Sequence, residues 1–185
     1  MKKRLAELRV GIGLALAALV IYWVADYIFD LPPVGLEFHS EVVRATPMGD
    51  CARFVGDYHF IAHHPRRRSY PIGYPTQNGN TLPPPADVIV TVDGRDLPVK
   101  VLTQGLHFEM PVVPRGEAHL HIEYTMAAPG RRVTYITRTA NLWPKPVTEA
   151  RFVLTPGARS NYHQAGTTET VFRQFHPSED WNIQW

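Results

Sequence analysis

Glu117, His119, His121 and Glu123 alternate with Ala118, Leu120 and Ile122. In an extended strand both imidazoles therefore leave one face, with a carboxylate on either side. Two imidazoles so placed can hold Zn²⁺ or Cu²⁺ once a third ligand arrives from another strand, and His107 is the candidate for that role. The competing use is ordinary. A face opposite an apolar stripe is a solvent face, where His and Glu serve solubility. On that reading the chain carries no resident metal and no cofactor.

Catalytic signatures are sparse. The four serines, Ser40, Ser69, Ser160 and Ser178, include no G-x-S-x-G elbow, and Ser160 with His163 three residues on has no meaning without geometry. Gly11 and Gly13 sit inside an apolar run, so they cannot cradle a phosphate. The chain is expected not to be an enzyme. Nucleic acid is excluded on charge. The 185 residues carry 19 basic and 17 acidic side chains, and Lys2, Lys3, Arg4 and Arg9 stand against Glu7 alone in the leader. Residues 10–185 therefore hold 15 basic against 16 acidic groups, too little positive field for a phosphate backbone.

Other residues suit contact rather than chemistry. Gly11 with Ala15 and Gly13 with Ala17 repeat the small-x-x-x-small spacing that lets helices approach closely in lipid. Tyr70 and Tyr74 make the proline-rich segment 69–87 less polar than a solvated linker, and Trp181 and Trp185 close the chain. Aromatic side chains of this kind are expected to be docked, either across the chain's own sandwich or on a neighbour, and the tail in particular is expected to contact a partner.

The elements that position these groups are legible in outline. Val10 to Phe29 is twenty residues with one charge, Asp26. As a helix it spans about 30 Å, the hydrocarbon thickness of a bilayer. The basic leader predicts a cytoplasmic N-terminus, and Tyr22, Trp23 and Tyr27 gather at the far interface. A cleaved signal peptide is the alternative, but Ala15-Leu16-Ala17 lies in the middle of the apolar run, not after it. The expected organisation is a leader (1–9), a transmembrane helix (10–29), a linker (30–34) and an extracytoplasmic body (35–185). That body would be periplasmic where there are two membranes.

Beyond residue 34 the period is two. Apolar alternation predicts strands near 36–45, 53–62, 88–92, 97–103, 106–112, 117–126, 132–139, 148–154 and 168–175. Asp93-Gly94 marks a tight hairpin, and the proline-rich segment cannot be a central strand. The fold class is thus all-β. About nine short strands predict an immunoglobulin-like antiparallel β-sandwich behind one N-terminal transmembrane α-helix. Cys51 is the sole cysteine, so no intramolecular disulfide supports the core, and C-x-x-C-H haem attachment is absent.

The functional expectation is a noncatalytic accessory or scaffold subunit of an inner-membrane complex. Its partners would be the membrane and integral-membrane subunits, a respiratory or photosynthetic electron-transfer assembly being one such host. The alternative is a periplasmic ligand- or metal-binding module.

Overall fold

The computed structural model describes residues 35–66, 68–77 and 81–185. The leader, the expected membrane helix and the Gly11, Gly13, Ala15, Ala17 stripe lie outside the described residues. Among the described residues no helix is long and apolar enough to cross a membrane.

The body is built from β1 (Leu36–Met48), β2 (Cys51–Ala62), β3 (Arg68–Pro75), β4 (Ala86–Val92), β5 (Arg95–Asp96), β6 (Val99–Leu102) and β7 (Gly105–Val112). There follow β8 (Glu117–Ala127), β9 (Arg132–Tyr135), β10 (Val147–Leu154), β11 (Arg159–Ser160), β12 (Glu169–Phe175) and β13 (Trp181–Gln184). They form a seven-stranded sheet in the order β12-β10-β1-β2-β8-β4-β5 and two three-stranded sheets, β11-β13-β9 and β3-β7-β6. Inward residues of all three sheets share one apolar cluster, so one large sheet is covered by two small ones.

Alternation explains which residues go in. Along β8 every second residue from Ala118 to Met126 is buried, and the polar set between them faces out. Asp93 and Gly94 both take positive φ, closing the hairpin between β4 and β5 as the Asp-Gly pair predicts. The all-β class therefore holds.

Three details depart from the expectation. The sheet is mixed, because β1 pairs in parallel with β10 and Ser40 to Ala45 lie alongside Glu149 to Leu154. Among the described residues there are thirteen strands rather than nine, because short pieces such as β5 and β11 add to the ladders. The proline-rich segment is also partly a strand. β3 lies at an edge with Pro71 and Pro75 in it, a position where a missing N–H leaves no gap in a central ladder.

The aromatic groups expected to face a partner are turned inward. Trp181 is fully buried, Tyr70 is buried and Tyr74 is half-buried against the same core. Trp185 packs on the core with its indole Nε1 donating to the Gly49 carbonyl at 3.0 Å. The physical reason is local. β13 is the middle strand of its small sheet, pairing with both β9 and β11, so its alternate side chains must fill the sandwich.

The three sheets also meet through hydroxyls. Tyr58 on β2 lies 2.7 Å from Tyr74 on β3 and 2.7 Å from Tyr135 on β9, and Tyr74 donates to Tyr135 at 3.1 Å. Gly56 leaves room for this triangle, since a Cβ there would collide with the Tyr58 hydroxyl. Burial pushes all three phenols well above their ordinary range, so they hold their protons and serve as hydrogen-bonding ties.

Candidate metal centre

β2 and β8 pair antiparallel with His59 opposite His119 and Asp57 opposite His121. Directly opposed residues of such a pair share a face, which here is the outer one. The His59 and His119 rings stack with centroids 4.7 Å apart and planes 5° from parallel. Glu117, two residues before His119, places Oε2 3.1 Å from His59 Nε2 and 3.9 Å from His119 Nε2. One donor atom from each of the three residues lies within 4.8 Å of the other two. A tetrahedral zinc site with Zn–N near 2.0–2.1 Å needs donor atoms roughly 3.3 Å apart. His119 and Glu117 are exposed, so no packed neighbour blocks their side chains from adjusting toward that spacing. A third ring, His39 of β1, stands edge-on to His59 at 5.2 Å. The cluster offers two imidazoles and one carboxylate, a set suited to Zn²⁺ or Cu²⁺ with the remaining positions open to water or an incoming ligand.

His121 belongs to a different group, although it is only two residues from His119. Its Nδ1 lies 2.7 Å from Asp57 Oδ1 and its Nε2 3.0 Å from Glu123 Oε1. Burial, the largest single influence, lowers its basicity, but the two carboxylate hydrogen bonds outweigh that and hold the imidazole above its usual range. A carboxylate oxygen therefore faces each ring nitrogen, so both are already engaged within the network. Arg44 completes the network at 2.7 Å from Asp57, and Arg53 pairs with Glu123. Glu123 is correspondingly depressed, first by Arg53 and then by His121.

The three histidines expected to act together are thus separated. His119 joins His59 and Glu117, His121 joins the ion-pair network, and His107 lies on β7 in another sheet, opposite Gly73 and Lys100. The candidate ligand missed in the sequence is His59. The polar face of 53–62 carries it in plain view, but only the β2–β8 pairing aligns it with His119. Near the end of the same face Glu37 is engaged too. Lys145 Nζ at 2.8 Å and His63 Nε2 at 2.9 Å, in that order of influence, hold its carboxyl down at about 2.

Ser160 and His163 do meet. Oγ lies 2.7 Å from Nδ1, and His163 Nε2 donates to the Phe152 carbonyl at 3.1 Å. The register, however, puts Ser160 opposite buried Ile183, and His163 stacks 5.7 Å from Trp181. The pair ties a turn to the core. Burial lowers the His163 pKa despite its backbone hydrogen bonds.

Comparison with known proteins is limited to fold. No family model matches the chain, and no curated protein matches it either. Among solved structures, a candidate nutrient-binding protein from Legionella pneumophila superposes with a TM-score of 0.60 at 14% identity, covering 81% of this chain and 67% of that one. An M1 zinc metallopeptidase from Deinococcus radiodurans gives 0.48 at 13% identity, over 83% of this chain and 43% of that one. Yeast LTA4 hydrolase with bestatin gives 0.49 at 10% identity, over 82% of this chain and 29% of that one. The chain spans less than half of these two enzymes, and likeness at that level carries no argument about activity. The first comparison shows a shared all-β fold and nothing of what is bound.

Proposed function

We propose that the chain is a noncatalytic accessory protein, anchored in the cytoplasmic membrane through residues 10–29, whose extracytoplasmic β-domain binds a transition-metal ion at His59, Glu117 and His119. The observation that carries this reading is the convergence of two stacked imidazoles and a carboxylate from paired strands on an exposed face. The aromatic groups that a docking subunit would present are spent inside the core, which favours a binding role for the outer face over bracing through the tail.

Equilibrium dialysis of the full chain in mild detergent against Zn²⁺ and Cu²⁺ tests the site. One ion should bind per chain. His59→Ala with His119→Ala should weaken binding by tenfold or more, about 1.4 kcal/mol, while His107→Ala leaves it unchanged. Equal binding by the double variant, or loss on changing His107 alone, would overturn the assignment.

The anchor reading rests on the apolar run behind a basic leader. Protease added to spheroplasts should digest residues 35–185. Protection of that segment, or a mature N-terminus beyond residue 25, would remove the membrane-anchored placement.

A further inference from the structure

An open groove of about 670 Å³ runs past β9, β11 and β13, with Gln77, Thr81 and Leu82 among the residues on its border. Its volume is within the usual range for small-ligand sites. Arg159 and Arg132 both lie opposite Gln184, one on each side, so the three form a single row across the small sheet. All three side chains are exposed. With neighbouring strands about 4.8 Å apart, the two arginine backbones stand roughly 10 Å from each other. Long guanidinium side chains at that spacing can close on one anion from both sides, with the Gln184 amide between them.

Charge and hydrogen bonding identify what this row lacks. Among the described residues that line the groove, none is acidic. Elsewhere in the domain Arg44, Arg53, Arg138 and Arg151 each have a carboxylate partner. Among the described residues Arg132 and Arg159 have none, as is also true of Arg66, Arg95, Arg115, Arg131 and Arg173; what sets this pair apart is that both flank Gln184 in one groove. The next row of the same face is already satisfied. Thr134 Oγ1 donates to Asn182 Oδ1 at 2.8 Å, and the Asn182 and Asn161 amides donate to the Asp180 carbonyl at 3.1 and 2.9 Å. That row forms a braced shelf, whereas among the described residues the side chains of Arg159, Gln184 and Arg132 make no hydrogen bond. Leu82 and Pro129 add an apolar flank beside them.

We propose that this groove binds a small organic oxyanion, a phosphomonoester or a carboxylate, clamped between Arg132 and Arg159 with its organic part against Leu82 and Pro129. Guanidinium groups suit this ligand because each can present two N–H donors to two oxygens of one anion. The site stands apart from the histidine cluster, which lies on another sheet.

The test uses the full chain in mild detergent, with phenyl phosphate and benzoate titrated by calorimetry. Binding is expected at a Kd of about 1 mM or tighter. Arg132→Gln with Arg159→Gln should weaken it at least tenfold at an unchanged melting temperature, while Arg95→Gln on β5 has no effect. A tenfold preference for phenyl phosphate assigns the natural ligand to phosphomonoesters, and equal or better binding of benzoate assigns it to carboxylates. The proposal is overturned if neither probe binds at about 10 mM, if the double variant binds like the parent, or if anionic lipid vesicles bind and phenyl phosphate does not.

Discussion

Trp181→Ala should destabilise the body by about 3–5 kcal/mol, the usual range for truncating a fully buried large aromatic. Its ring lies 5.0 Å from Phe152, 6.1 Å from Tyr135, 6.4 Å from Tyr162 and 5.7 Å from His163, with no exposure to solvent. Among the described residues its Nε1 has no hydrogen-bond partner, so the indole contributes through packing. Removing it would open a cavity where the small sheet β11-β13-β9 meets the large one. Against a domain stability of about 5–15 kcal/mol that loss is a large fraction. Deleting residues 181–185 should be worse, because it removes the central strand of the small sheet and strands both of its neighbours. Urea denaturation of the full chain and the two variants measures this. An unchanged midpoint for the deletion would mean that the tail lies outside the core in solution and faces a partner after all.

Glu41→Gln should act in the opposite direction and stabilise the protein at neutral pH. Glu41 points into the sandwich from β1, opposite Tyr58 and Ala150, and is only 5% exposed. A bulge at His39 puts it there by shifting the alternation after Phe38, so that Glu41, Val43 and Ala45 become the inward set. Burial raises its carboxyl from 4.5 to about 8. The folded protein therefore holds a neutral carboxyl at pH 7 while the unfolded chain ionises it.

The sign follows from linkage. A folded pKa raised above the unfolded one contributes stability that is fully present below about 4.5 and is lost as pH rises through about 8. Between those limits each pH unit removes about 1.4 kcal/mol, so the deficit at pH 7 is about 3 kcal/mol. Glutamine keeps the shape and cannot ionise. The variant should gain about that much at pH 7 and show a flatter stability profile from pH 5 to 8. Parallel profiles for parent and variant would mean that the carboxyl is hydrated in solution rather than buried.

Much of the architecture is written locally. The alternation in 117–126 specifies β8 and its buried face, and Asp93-Gly94 specifies a turn because both residues tolerate positive φ. The prolines at 71 and 75 exclude a central strand, and β3 is indeed an edge. The aromatic tail announces that a large area needs covering. Composition does not say by what, and here the cover is Phe152 and Tyr135 of the same chain.

The sites are not local in this sense. A period of two determines which face a side chain takes, yet it leaves the neighbouring strand undetermined, since any strand of the right length can supply backbone partners. His119 and His121 share strand, face and residue type, and the sequence treats them alike. The β2–β8 register sets His59 beside the first and Asp57 beside the second, making one a candidate ligand and the other a ring held between carboxylates. The same holds for Arg159, Gln184 and Arg132, which are brought into one row by two short ladders between segments far apart in the chain. Residue types, and the inward face of regularly alternating strands such as β8, were therefore settled by the sequence alone, whereas the bulge that turns Glu41 inward and the pairing that buries Trp181 were not. Which polar groups meet was decided by long-range strand pairing, because a side chain's chemistry depends on neighbours that local pattern does not encode.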